Sequence, residues 1–171
     1  MIDLISKQLA PTGILRVGIN MSNFLLVSGV NSAGFPEGVS PDLGERIAKE
    51  LNIPYKLVQY KRPGELADAV NKNQWDIGNI AFELKRAETI DFTNSYVNIN
   101  ANFLVRKIDN FKTNEDVSKA RVKIAVLERS AYDLWLTENF KDIELIRASS
   151  IQNSHILFNE GKANVLAGLK P

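Results

Sequence analysis

No cysteine occurs in the 171 residues, and there is one histidine. The missing thiols exclude disulfide scaffolds, zinc ribbons, iron–sulfur clusters and thiol nucleophiles. A single histidine excludes a multi-histidine metal site, and no metal and no cofactor is expected. Charge of one sign is also lacking: 21 Lys+Arg face 20 Asp+Glu, a formal net charge of +1. That balance argues against a strongly basic nucleic-acid binder and against an acidic tail protein. No apolar run reaches the length of about 18 residues that a membrane span needs, so no membrane insertion is expected. The opening MIDLISKQLAP has no basic segment followed by an apolar stretch. It does not read as a signal peptide, which leaves a cytoplasmic chain or a mature form whose leader has been removed. The G-x-G-x-x-G, Walker A and EF-hand patterns are absent, and no G-x-S-x-G elbow accompanies His155. The 20 acids form no convincing hydrolytic pair.

What is present is an apolar fraction of 44%, which argues for a folded core. The length matches about 1.1 typical domains, one large domain or two small lobes. A β-type run at 14–19 (ILRVGI) precedes a loop over 20–38 that is broken by Gly34, Pro36 and Gly38. Ser40 suits a helix N-cap and Pro41 a first turn, with Leu43, Ile47, Ala48 and Leu51 on one face. Residues 55–60 (YKLVQY) read as a strand, and Pro63-Gly64 opens a helix with Leu66, Ala69 and Val70 inward. Residues 75–81 (WDIGNIA) read as a third strand. The second half repeats the order: strand 122–127, helix 130–140 with Leu134 and Trp135 inward, strand 143–146, helix 150–160, strand 163–169. Each half is β-α-β-α-β, which implies parallel strands with right-handed crossovers. One doubly wound six-stranded sheet would satisfy the pattern. Two lobes satisfy it better, because 90–119 holds an extended run at 98–105 and a short helix that Thr113 and Asp116 would cap. The expected division is 1–105 for lobe one and 106–171 for the connector and lobe two. Ligands of open α/β sheets sit at the carboxyl ends of the strands, and two facing lobes would form a cleft.

Several residues fall at such strand ends. Arg86 follows the third strand, where a guanidinium can hold a carboxylate through two parallel hydrogen bonds. The alternative is a solvated charge on a short helix. Ser130 follows 122–127 and opens a helix as SAYD, a capping-box pattern. The amides of Ser130, Ala131 and Tyr132 would also suit an anion. Arg86 and this helix start occupy equivalent places in the two halves and would grip one carboxylate from both sides. Phe24, just past the first strand, suits either stacking on a ligand or core packing.

The segments LRVGI (15–19), GVSPDL (38–43), WDIG (75–78), and Arg86 with IDFTNSY (90–96) resemble the bacterial solute-binding proteins of family 3. The resemblance covers nearly the whole chain from Gly13, and the block 75–96 is its most specific part. It implies a two-lobe type 2 periplasmic-binding fold whose lobes close on an amino acid or related polar solute for an ABC importer. It gives Arg86 the solute carboxylate, the Ser130 helix start a share of it, residues Ile80, Ala81 and Phe82 backbone contacts, and Phe24 an aromatic cover. It further implies a monomer with an ABC permease as partner, in the periplasm or outside the cell.

Two departures stand out. An Asp that holds the solute ammonium in the family is replaced around Ala167-Gly168-Leu169. Family members also continue past this point and return to lobe one, so the chain is expected to lack that return and to be less stable for it. An enzyme on the same fold, resembling cyclohexadienyl and arogenate dehydratases, would need an acid in the cleft, with Glu83 and Glu128 the candidates. A ligand-sensing module without transport is the remaining alternative. A receptor without chemistry is the leading expectation.

Overall fold

The computed structural model describes residues 2–170. Two compact units emerge, Met1–Ile90 and Asp91–Pro171, each with a sheet of its own. The doubly wound single sheet is therefore not formed.

The first unit contains α1 (Ile2–Leu9), β1 (Leu15–Asn20), a hairpin of β2 (Gly29–Val30) and β3 (Pro36–Glu37), α2 (Val39–Leu51), β4 (Tyr55–Tyr60), α3 (Pro63–Asp68), β5 (Ile77–Gly78) and α4 (Leu84–Ala87). The strand order is β4-β1-β5, with β1 central and parallel to both neighbours. This is the expected β-α-β-α-β unit. Leu15, Val17 and Ile19 point to one face of β1 and are fully buried, and Gly18 on the opposite face is buried as well, so the strand is covered on both faces. On one face α2 lies close, since Gly44 has no Cβ and a methyl there would come within 2.5 Å of Val17 Cγ1. On the other face Leu66 and Trp75 pack against Gly18, and the Trp75 indole donates to the Leu66 carbonyl at 2.9 Å. Helix α1, which the sequence pattern does not predict, is tied down where Ser6 Oγ donates to the Leu51 carbonyl at 3.3 Å.

Arg16 and Asp76 fix the register of β1 against β5. The Asp76 carboxylate accepts from the Arg16 amide (2.7 Å), Nε (3.0 Å) and Nη2 (2.6 Å), and the Asp76 amide donates back to the Arg16 carbonyl (2.8 Å). Hydrogen bonding to Asp76 holds the Arg16 guanidinium above its ordinary pKa. Two local expectations change. The strand expected over 75–81 pairs only at Ile77–Gly78. Beyond Gly78 the chain turns to side-chain bonds instead of a ladder. Helix α2 is capped by Gly38, not by Ser40, which sits inside its first turn.

The second unit contains β6 (Ala101–Val105), α5 (Asn114–Lys119), β7 (Lys123–Leu127), α6 (Ala131–Asn139), β8 (Glu144–Ala148), α7 (Ile151–Asn159) and β9 (Val165–Leu169). Its order is β6-β9-β7-β8, with β7 parallel to β8 and β9 but β6 antiparallel to β9. Of the extended run 98–105, Ala101–Val105 form a sheet strand of the second unit rather than the end of lobe one. The division falls after Ile90, not after 105, because Ala101 pairs with Leu169 and Val105 with Val165. Alternation along β7 splits the core between two faces. Ile124 and Val126 join Val117, Leu136, Val165 and Ala167 on one side, and Ala125 joins Phe158, Ala163 and Leu166 on the other. Thr113 and Asp116 form the expected reciprocal capping box on α5. Its backbone bonds from Lys112 and Thr113 keep the Asp116 carboxyl below the ordinary range. In α6 it is Leu136 that is buried. Trp135 is 53% exposed and packs against Phe140, with ring centroids 5.5 Å apart.

Candidate functional site

In the first unit, β1 and β5 are parallel, so both end at one edge of the sheet. The 20–28 loop leaves that edge from β1, and the 79–83 segment leaves it from β5. The latter carries Ile80, Ala81 and Phe82 and leads into α4, where Arg86 lies. Arg86 is only 5% exposed, so the solvated-charge alternative does not describe it. Its Nη1 donates to the Ala81 carbonyl at 3.0 Å. The structure thereby joins two of the predicted site positions directly. Glu83 caps α4, its carboxylate accepting from the Arg86 amide at 3.2 Å. Glu83 is buried and committed to that cap, a poor position for a mobile general acid. Glu128 is exposed.

Phe24 is 44% exposed, so core packing does not account for it. Its loop is built by short-range bonds. Asn20 Oδ1 accepts from the Ser22 amide (3.2 Å) and hydroxyl (2.8 Å), and the Asn23 carbonyl accepts from Leu26 (3.0 Å) and Val27 (2.8 Å). Phe82 is 60% exposed, on the segment that ends at Arg86.

In the second unit Ser130 is the N-cap of α6, its hydroxyl accepting from the Asp133 amide at 3.1 Å. The amides of Ala131 and Tyr132 occupy the first helical positions, where no preceding carbonyl of the helix is available to them. They are the groups a helix end can offer to an anion. The Ser130 amide donates to the Leu127 carbonyl at 3.1 Å and is not among them. The tyrosine phenol is raised above its ordinary pKa by burial, partly offset by hydrogen bonding with the Ser130 side chain and the Leu127 backbone.

The expected capping box is rearranged here. The Asp133 carboxylate reaches past Ser130 to the Arg129 amide (2.7 Å), and Arg129 itself takes a left-handed φ of 58°. Asp133 is 1% exposed and is paired by Arg147, whose Nε contacts both of its oxygens (3.0 and 3.2 Å). Arg147 Nη2 continues to Thr137 Oγ1 at 2.7 Å. Asp133 therefore holds the turn that presents the α6 amides. We expect Asp133→Ala to lower the unfolding free energy by about 2 kcal/mol, less than a fully buried pair would cost because Arg147 stays partly hydrated. Urea denaturation measures this, and a change under about 0.5 kcal/mol would contradict it.

Arg147 escapes the sequence pattern, and Asp133 is legible there only as the capping-box partner of Ser130. Asn79 is legible in the sequence only as a polar residue inside the run WDIGNIA.

The family model described as bacterial extracellular solute-binding proteins, family 3, matches residues 15–163. A curated protein, membrane-bound lytic murein transglycosylase F of Shewanella sp., is 29% identical over 127 residues. That match takes in 72% of this chain, which spans a quarter of the length of the curated relative (25%). A mutant of arginine-bound ArgBP from T. maritima superposes with a TM-score of 0.76 at 22% identity, covering 99% of this chain and 78% of that one. The ancestral amino acid-binding protein AncCDT-1, a precursor of cyclohexadienyl dehydratase, gives a TM-score of 0.76 at 23% identity, covering 98% of this chain and 73% of that one. At these identities the structures establish a shared fold. Among the described residues, no helix is long and apolar enough to cross a membrane.

Proposed function

Because this chain belongs to the bacterial extracellular solute-binding proteins of family 3, we propose that it is a receptor for a small carboxylate-bearing polar solute, an amino acid or a close relative. The observation that carries this is the buried Arg86 guanidinium, held by the Ala81 carbonyl at the strand-end edge of the first sheet. A guanidinium fixed in this way has little rotamer freedom left to lose when it takes up a carboxylate. In this reading Ile80, Ala81 and Phe82 supply the neighbouring backbone and Phe24 an apolar cover. The amides of Ala131 and Tyr132, with Ser130, add donors for the same chemistry in the second unit. Delivery to an ABC importer in the periplasm or outside the cell follows from family membership as a further part of the proposal.

Isothermal titration with L-arginine, L-lysine, L-cysteine, L-glutamate, their decarboxylated amines and simple organic acids tests it. Carboxylate-bearing members should bind with micromolar or tighter affinity and the amines should not. Binding of none, or equal binding of the amines, overturns the reading. Ala167, Gly168 and Leu169 provide no carboxylate for an α-ammonium. Organic acids that lack the ammonium should therefore lose less affinity here than an ammonium-clamping site would impose.

The curated relative favours a second reading, a ligand-sensing module without transport, since there the matched segment is one quarter of a longer protein. Uptake of the bound solute in cells with and without this chain separates the two. Unchanged uptake alongside binding in vitro would favour sensing. A dehydratase activity finds less support, because Glu83 is spent on the α4 cap.

A further inference from the structure

Two segments of the proposed site in the first unit, the 20–28 loop with Phe24 and the 79–83 segment with its Arg86 contact, are far apart in sequence. Residues 22–27 and 79–83 lie outside the strand ladders. One polar node connects them. Ser40, 2% exposed in the first turn of α2, donates its amide to the Leu26 carbonyl at 2.9 Å. From the other side, Asn79 Nδ2 donates to the Ser40 carbonyl at 3.1 Å and to Ser40 Oγ at 2.9 Å. Two residues beyond Asn79, the Ala81 carbonyl accepts from Arg86. The path therefore runs Leu26, Ser40, Asn79, Ala81, Arg86, with hydrogen bonds at three of its joints and two peptide units at the fourth.

We propose that Asn79 is a positioning residue: through Ser40 it sets the place of the 80–82 backbone and the Arg86 guanidinium relative to the Phe24 loop. The chemistry requires a donor at this position. Both Ser40 acceptors face the amide nitrogen of Asn79, and an aspartate of the same shape would set a carboxylate against a carbonyl oxygen instead. The inference rests on the receptor reading for its ligand, but the coupling it describes is a property of the free protein.

The test uses the full chain with Asn79→Ala, Asn79→Asp and Ser40→Ala, and Leu15→Val as a control for general loss of stability at the far end of β1. The first readout is hydrogen exchange of the free protein. In Asn79→Ala and Asn79→Asp the amides of 79–87 should exchange about tenfold faster while those of β1 keep their protection. The second readout is the affinity for the carboxylate that the wild type binds in the panel above, measured at a temperature where every variant is fully folded. Asn79→Ala and Asn79→Asp should each weaken it by about tenfold. Ser40→Ala should weaken it less, because its carbonyl still accepts, and Leu15→Val should leave it unchanged. A purely structural role would lower the melting temperature of the Asn79 variants but not the affinity of the folded protein. Unchanged exchange at 79–87, or an Asn79→Asp variant equal to wild type, overturns the proposal. Should the wild type bind no panel member, the receptor reading fails, and the exchange measurement alone decides the role of Asn79.

Discussion

Arg86→Ala should weaken binding of the carboxylate solute by about 30-fold or more, the effect of losing about 2 kcal/mol or more when one partner of a buried charged hydrogen-bonded pair is removed. The magnitude follows from burial and fixation. At 5% exposure, and tethered to the Ala81 carbonyl, the guanidinium meets an anion where water screens little and pays little entropy in doing so. Arg86→Lys separates charge from geometry. It keeps the positive charge but loses the planar fork and the Nη1 tether, and should fall between wild type and alanine. Titration calorimetry of the three proteins provides the comparison. An alanine variant within twofold of wild type would remove Arg86 from the site.

The largest loss of stability is expected at Gly38. This residue caps α2 with φ 123° and ψ −175°, a region that residues with a side chain hardly enter. A Cβ there would lie 2.7 Å from the Leu26 carbonyl oxygen, 2.9 Å from the Ser28 nitrogen and 3.2 Å from the Val27 Cα. All three are backbone atoms, so no rotamer change relieves the clash. Gly38→Ala should cost about 3 kcal/mol or more, combining the conformational penalty with overpacking. In a protein of this size that corresponds to a melting temperature lower by roughly 10 °C. Gly29→Ala is the matched control, because a Cβ at Gly29 meets nothing within 4 Å, and it should change stability little. Equal melting temperatures for the two variants would show that the Gly38 loop adapts. The loop matters beyond stability, since Leu26 is also the acceptor for Ser40.

Much of each unit was legible from local pattern. The parallel β-α-β-α-β order in both halves follows from short apolar runs alternating with helical periodicity. Ser130 and the Thr113–Asp116 pair follow from capping chemistry, which acts over three residues of chain. Arg86 could be singled out because it stands just past a strand in a recognisable block. Readings failed where a distant partner decided the outcome. Ser40 fits a cap by type, but Gly38 caps, and the Ser40 hydroxyl serves Asn79 instead. Trp135 is apolar enough for the core, yet the turn of α6 buries Leu136. Residues 98–105 read as extended, but nothing local says that 101–105 pair antiparallel with β9 and so belong to the second unit.

By itself, then, the sequence determined most of the strands and helices, the β-α-β-α-β plan of each half, the family and the type of chemistry offered at the strand ends. These depend on side-chain periodicity and on caps, which are contacts within a few residues. Only the tertiary structure decided that Arg86 is buried against Ala81, that Glu83 is consumed as a cap, and that the unit boundary falls after Ile90. It alone joined Asn79 to Ser40 across 39 residues and Arg16 to Asp76 across 60. Such bonds gain their energy from groups that only the folded sheet and helices bring within 3 Å of one another, and no short window of sequence carries that information.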